Sequence, residues 1–93
     1  MVVGLARVEL AISSAGCLKA KRRVVKSLVD RIRRRFNVSV AEVDQQGIWQ
    51  RATLGIACVS NEASHADSIL SRVVAYIGND REAELLDYST EIM

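Results

Sequence analysis

The sequence is short of the residues that build metal and redox centres. Its 93 residues include no proline, one histidine and two cysteines, Cys17 and Cys58. The two cysteines stand 58 − 17 = 41 residues apart, a distance that fits no zinc or redox motif, and a disulfide is not expected in a reducing cytosol. A lone histidine without a close group of acids argues against a metal site. We therefore expect neither a metal nor another cofactor.

Long apolar runs are also missing. No run approaches the roughly 18 residues that a membrane span needs. Arg7 and Glu9 interrupt the first apolar stretch, so the N-terminus does not have the pattern of a signal peptide. Apolar residues make up 49% of the sequence and charged residues 26%, which is ordinary globular material. We expect one cytoplasmic domain over residues 1–93 with no membrane contact.

The net charge of +2 hides an uneven distribution. Residues 18–36 contain nine of the 13 basic residues and one acid, Asp30, so this segment carries 9 − 1 = +8. The other residues carry 4 − 10 = −6. A basic segment is either a solvated surface or a surface that meets an anion. Arginine predominates in this one, and arginine is suited to bidentate contacts with phosphate.

The spacing of apolar residues predicts six elements. Strands with a period of two are predicted at residues 2–12 and 37–44, from a start at Ile48 or Gln50 through Arg51–Ser60, and at Glu84–Ile92, the last with Leu86, Tyr88 and Ile92 on one face. Helices are predicted at residues 18–36 and from a cap at Ser60 or Asn61 to Gly78. The order predicts an α+β fold of the ferredoxin-like βαββαβ type. An antiparallel four-stranded sheet, with its first and third strands central, would carry two helices on one face.

The first helix is strongly amphipathic. One face carries six cations: Lys19, Arg22, Arg23, Lys26, Arg33 and Arg34. Lys21 and Arg51 are expected to extend this patch, and Asp30 to pair with Arg34 one turn later. The leading hypothesis is a non-enzymatic accessory factor that docks this helix on the phosphates of structured RNA, ribosomal RNA in particular. An acidic protein surface is the other partner that such a helix could meet.

The sheet face opposite the helices offers an alternative function. Its central positions carry no aromatic residue, so stacking of single-stranded bases on the sheet is not expected. The face is instead rich in small and apolar groups, and the candidate interface residues are Leu5, Ala11, Ala57 and Val59. Such a patch favours a homo-oligomer such as a dimer, or docking on a larger partner.

Three further features are weighed beside these surfaces. Trp49 lies near the tip of the predicted hairpin, and we expect it to fold back over the end of the core rather than to stand exposed as an anchor for a partner. Cys17 and His65 have no visible catalytic partners, so an enzyme is not expected. A ligand-sensing domain is a third possibility, with residues 13–16 as a ligand loop.

Five stretches together resemble the YlxP-like family of small bacterial proteins of unknown function. They are residues 3–10 (VGLARVEL), 18–28 (LKAKRRVVKSL), 35–43 (RFNVSVAEV), 49–52 (WQRA) and 59–61 (VSN). The resemblance covers nearly the whole chain and implies a ferredoxin-like fold. It brings no catalytic residues. Members are often encoded beside translation and ribosome-maturation factors, which favours a role with RNA or the ribosome.

Overall fold

The computed structural model describes all 93 residues and contains six elements in the predicted order. They are β1 (Val2–Ala11), α1 (Leu18–Arg35), β2 (Ser39–Asp44), β3 (Arg51–Ser60), α2 (Ala63–Gly78) and β4 (Glu84–Ile92). The strands form one antiparallel sheet in the order β2-β3-β1-β4, so β1 and β3 are central. This is the ferredoxin-like α+β fold, and it confirms the predicted fold class.

A single hydrophobic core of 21 residues lies between the sheet and both helices. Every second residue of the central strands points into it, including Ala6, Val8 and Leu10 of β1. α1 and α2 each add an apolar stripe at helical spacing. The shared core is why both helices cover the same sheet face and leave the other uncovered. Neither helix is long and apolar enough to cross a membrane.

Several element ends differ from the prediction by a few residues. β1 stops at Ala11, and β2 begins at Ser39. α1 stops at Arg35 because Phe36 has an extended backbone with φ −129° and ψ 146°. The residue at the N-cap of α2 is Glu62, not Ser60 or Asn61. Its N–H donates to Ser60 Oγ at 3.1 Å.

β4 is an edge strand and the most exposed element of the fold. The pairing of β1 with β4 shifts between Glu9 and Leu10, so that Leu10 lies opposite Leu85. Leu85 packs against the core, whereas Leu86 is 41% exposed. The shift in register thus gives Leu85 the inner position that simple alternation assigned to Leu86.

The two cysteines are free thiols in different surroundings. Cys17 is exposed just before α1, and Cys58 is buried in the core. A Cβ atom at Gly4 would lie 3.0 Å from Cys58 Sγ, so the sulfur occupies the space that the glycine leaves open. Cys58 therefore acts as a small apolar filler.

Candidate functional site

The outer face of α1 carries the predicted row of cations. All six side chains predicted there, Lys19, Arg22, Arg23, Lys26, Arg33 and Arg34, are exposed on the side of the helix turned away from the sheet. Cys17 provides no side-chain cap and the first turn contains no acid. Unpaired backbone N–H groups therefore add partial positive charge at this end of the helix. We call these six side chains the α1 outer face.

Only two of the six make contacts within the chain. Lys26 Nζ donates to Asp30 Oδ2 at 2.9 Å, and this hydrogen bond is the main reason that the pKa of Asp30 lies below its usual value. The direct ion pair of Asp30 is therefore with Lys26 and not with the predicted Arg34, which only helps to lower the same pKa by a weaker electrostatic attraction. Arg33 Nη2 donates to the Val40 carbonyl of β2 at 2.8 Å.

The remaining four cations have no partner within the chain. None of them makes a salt bridge or a side-chain hydrogen bond; they are Lys19, Arg22, Arg23 and Arg34. We call them the free cations of α1. They are the part of the outer face whose hydrogen-bond donors remain available to an external anion.

Lys21 does not belong to this surface, and the prediction that it extends the patch is wrong. Lys21 is fully buried. Its ammonium group donates to Glu42 Oε2 of β2 and also to the carbonyls of Gln45 and Gln46, at 2.8 and 3.3 Å. The helical wheel contained the signal, because residue 21 falls between Val25 and Leu28 on the apolar face. Its charge is matched inside the protein and is not available to a phosphate.

Arg51 is also separated from α1. It begins β3 and pairs with Ala11 of β1, and both belong to the alternating set on the uncovered sheet face. The sheet therefore lies between Arg51 and the helix. The prediction that Arg51 extends the helical patch is wrong, because the period of two in β3 turns it to the opposite side.

A third ion pair on α1 links the helix to the segment after α2. Arg31 Nη2 lies 2.9 Å from Asp80 Oδ1, and Arg31 Nη1 donates to the Tyr76 hydroxyl at 3.3 Å. Burial acts to raise the pKa of Asp80, but the N–H groups of Ala83 and Glu82 and the Arg31 guanidinium together hold it below its usual value. These contacts were not visible in the sequence, because the partners lie far apart in the chain.

Arg31 and Arg35 both lie against the ring of Tyr76. Their guanidinium carbons are 6.0 and 5.1 Å from the ring centroid. Burial acts to lower the pKa of Arg31, while Tyr76 and Asp80 raise it, and the net shift is upward. Both arginines are therefore held against the fold on the α2 side of the helix.

A polar cluster occupies part of the uncovered sheet face. Thr53 Oγ1 donates to Glu9 Oε2 at 2.7 Å, and the Gln45 amide donates to both Glu9 and Thr53 at 3.1 and 2.9 Å. Arg7 donates to Glu9 at 3.1 Å and to Asp44 at 3.3 Å. These groups satisfy one another, so the cluster stabilises the sheet surface rather than leaving groups free for a ligand.

The predicted interface residues are divided by this cluster. Leu5 and Ala57 lie directly opposite each other, and Val59, which is 66% exposed, is two residues farther along β3. A depression of about 260 Å³ lies beside Leu5 and Ala57. Ala11 belongs to the same face but lies on the other side of Arg7 and Glu9. The structure therefore brings three of the four residues together and leaves Ala11 apart.

Trp49 stands exposed at the tip of the hairpin between β2 and β3. It is 52% exposed, its neighbour Ile48 is 50% exposed, and neither packs against the core. The prediction that Trp49 folds back over the core is wrong. The reason is local: residues 45–50 connect the ends of β2 and β3 through turns at 46–47 and 49–50, and Trp49 lies in the second of these, away from the core residues.

Comparisons with known proteins place the chain in a family. Residues 3–90 match the family model described as "Protein of unknown function (DUF503)". The chain is 40% identical over 90 residues to the uncharacterized protein YlxP of Bacillus subtilis (strain 168). This alignment covers 97% of this chain and 98% of that protein.

Among solved structures, the de novo designed protein Foldit4 has a TM-score of 0.54 at 12% identity, over 100% of this chain and 97% of that one. This likeness concerns the fold alone. The family match and the YlxP relative confirm the resemblance read from the sequence. The chain belongs to the DUF503 family of proteins of unknown function.

Proposed function

We propose that the protein is a non-enzymatic RNA-binding factor of the cytoplasm that docks the α1 outer face on RNA phosphates. The observation that carries the proposal is the set of four free cations, which stand on one exposed helical face without partners in the chain. The positive side chains on this face repel one another, and an approaching anion would relieve that repulsion. An RNA backbone supplies such anions in a row.

The geometry of the face suits a polyanion better than a single small ligand. From Lys19 to Arg34 the helix rises by about 22 Å, at 1.5 Å per residue. Cations spread over that length can contact several phosphates along a strand. Contacts of this kind position a protein without reading base sequence.

Structured RNA is therefore the proposed partner. The resemblance to proteins encoded beside ribosome-maturation factors makes ribosomal RNA the first to test.

A charge-matched pair of double variants tests the proposal in a filter-binding titration with ribosomal RNA. Arg22→Glu with Arg23→Glu changes two free cations of α1, and Arg72→Glu with Arg81→Glu changes two exposed arginines outside it. Both changes alter the net charge equally, to 2 − 4 = −2. We expect the first pair to weaken binding at least tenfold and the second to weaken it by less than about threefold, because only the first removes phosphate contacts.

Two results would count against the proposal. The first is an absence of binding by the wild-type protein at low salt. The second is an equal loss of affinity in both double variants, because net charge would then explain the binding without any defined face.

Self-association is a second candidate function, favoured by the exposed apolar side of the uncovered sheet face. Leu5, Ala57 and Val59 form a surface that a second copy could cover. Light scattering at tens of micromolar protein should then show a dimer that Val59→Lys returns to a monomer. A wild-type monomer at this concentration would remove the candidate.

A further inference from the structure

The uncharged tip of the β2–β3 hairpin carries two large apolar side chains that are exposed. Residues 45–50 (QQGIWQ) contain no charge, and Ile48 and Trp49 are each about half exposed. Together with Gly47 and Gln50 they line a shallow surface depression of about 320 Å³. A large aromatic side chain left in water at a loop tip is a usual feature of recognition sites.

The tip is held in a fixed position relative to the helix. Lys21 of α1 donates to the carbonyls of Gln45 and Gln46, and the Ile48 N–H donates to the same Gln45 carbonyl at 3.1 Å. At the other end of the turn the Ile12 N–H donates to the Gln50 carbonyl at 2.9 Å. Gln45 has a positive φ of 62°. With this backbone conformation its main-chain carbonyl faces the helix, while its side-chain amide donates to Glu9 and Thr53 on the uncovered sheet face.

Helix geometry places the tip on the same side of α1 as one of the free cations, Arg22. Arg33 reaches the Val40 carbonyl, so its side of α1 overlooks β2. Arg22 precedes it by 11 residues, which turns the helix through three turns and about 20°, so the two side chains leave the helix in nearly the same direction. Arg22 therefore lies over the β2 side near the start of α1, where Lys21 holds the tip.

The charge around the tip selects the chemistry of its occupant. Three acids lie near the tip, and all are paired: Glu42 with Lys21, and Glu9 and Asp44 with Arg7, which they share. Arg22 on the helix side and Arg51 just after the turn leave the surroundings positive. A partner that fits here brings a negative charge together with a flat uncharged surface, and a nucleotide has both.

We propose that Trp49 is a stacking residue for an unpaired base of the RNA whose phosphates bind the α1 outer face. The inference rests on the proposed function and adds the class of RNA to it. The ligand is RNA that presents at least one unstacked nucleotide, such as a loop, bulge or end, beside a helical backbone. A perfect duplex meets only the cations.

The fluorescence of Trp49 tests this directly, because it is the only tryptophan in the chain. The probes are a hairpin RNA with an unpaired loop, a blunt duplex of equal length and inorganic polyphosphate, each titrated at low salt. We expect the loop RNA to quench the emission, while the duplex and the polyphosphate bind without comparable quenching. Aromatic stacking predicts that Trp49→Ala weakens loop binding by roughly five- to a hundredfold and duplex binding by less than about twofold.

Tyr88 supplies the matched control, since it is also 52% exposed but lies on β4 at the other edge of the sheet. Tyr88→Ala should leave both RNA affinities unchanged, and Trp49→Phe should keep most of the preference for loop RNA. If the duplex and loop bind equally to the wild-type protein and to Trp49→Ala, the inference fails and the proposed function stands. If no polyanion binds, both fail. Quenching that depends on protein concentration without RNA would instead place Trp49 between two copies of the chain and overturn the inference.

Discussion

The two helices occupy equivalent places in the fold but present different surfaces to solvent. Each follows a central strand and packs an apolar stripe on the same sheet face. α2 has one acid and one base, Asp67 and Arg72, and is neutral, whereas α1 has nine bases and one acid. The inner stripe of α2 is purely apolar, while that of α1 includes Lys21.

The difference separates charges that serve the fold from charges that do not. α2 shows that a helix in this position packs without a basic outer face. On α1, buried Lys21 and the flanking Arg31, Arg33 and Arg35 contact other elements of the fold. The four free cations contact none. Contacts within the fold therefore do not account for their positive charge, and the proposed RNA contact would use it.

The largest effect on stability is expected at the one charged residue in the inner stripe of α1. Lys21→Met removes the donor that Glu42 and the Gln46 carbonyl share and leaves the Gln45 carbonyl with the Ile48 N–H alone. It should lower the free energy of unfolding by about 3 kcal/mol. Lys19→Met, two residues earlier on the outer face, should change it by less than about 0.5 kcal/mol. Urea unfolding monitored by circular dichroism measures both.

A further change separates the cost of the lost pair from the cost of altered packing. Glu42→Leu in the Lys21→Met background should restore part of the stability, since it removes the uncompensated carboxylate. If Lys21→Met and Lys19→Met were equally stable, the claim that the buried contacts of Lys21 stabilise the fold would be contradicted.

The next effect concerns the contact between α1 and the segment after α2. Asp80→Asn keeps an oxygen for the N–H groups of Glu82 and Ala83 but removes the charge facing Arg31, and should cost about 1 kcal/mol at pH 7. The pKa of Asp80 is lowered in the folded protein. Its stabilisation is therefore present above the unfolded pKa of about 3.9 and is lost as the pH falls through the lower folded value.

Urea unfolding at pH 7 and at the lowest pH where the protein stays folded checks this. The difference between the wild-type protein and Asp80→Asn should shrink on acidification. A difference that grows at low pH would have the wrong sign and would contradict the assignment.

Adjacent arginines on α1 allow the sharpest separation of fold and surface. Arg33→Ala removes the hydrogen bond to the Val40 carbonyl and should lower the free energy of unfolding by about 1 kcal/mol. The loss is modest because Arg33 is exposed, so water can replace part of the lost hydrogen bond. Arg34→Ala should change stability by less than about 0.5 kcal/mol yet weaken RNA binding severalfold. Thermal unfolding and filter binding of the same two preparations measure both quantities. If Arg34→Ala lowered stability more than Arg33→Ala and left RNA binding unchanged, the distinction between the free cations and the cations that contact the fold would be refuted.

The smallest effect is expected at the only acid of α1. Asp30→Asn frees Lys26 and removes a negative charge from the outer face, so RNA affinity should rise about two- to threefold at low salt. Asp67→Asn on α2 is the matched control and should leave the affinity unchanged. The gain should disappear at high salt because exposed charges are then screened. A gain of equal size in both variants would point to net charge alone.

The sequence predicted the elements that depend on local periodicity. Alternation identified Ala6, Val8 and Leu10 as the inner face of β1, and helical spacing identified the stripes of both helices, so the order and the fold class followed. These signals are strong because burial imposes one period on each element. The predicted ends of the elements were less accurate. Phe36 was assigned to α1 because its apolar side chain fits the helical spacing, but its backbone is extended and the helix ends at Arg35.

The contacts between segments that are far apart in the chain could not be predicted from the sequence. Glu42 is 21 residues from Lys21, and Asp80 is 49 residues from Arg31, so no local pattern showed which cations the fold would use. Trp49 was predicted to fold back over the end of the core, but it lies at the hairpin tip and is 52% exposed. The candidate site is therefore narrower than the sequence indicated, with Lys21 and Arg51 removed from it.

The salt dependence of RNA affinity tests the central claim that the free cations of α1 bind phosphates. For the wild-type protein, four contacts predict that the logarithm of the binding constant falls with the logarithm of salt concentration with a slope of about −3 or steeper. Arg22→Glu with Arg23→Glu should make this slope shallower by about 1.5, and Arg72→Glu with Arg81→Glu should leave it unchanged. A wild-type slope near zero, or the same slope in all three proteins, would contradict the account.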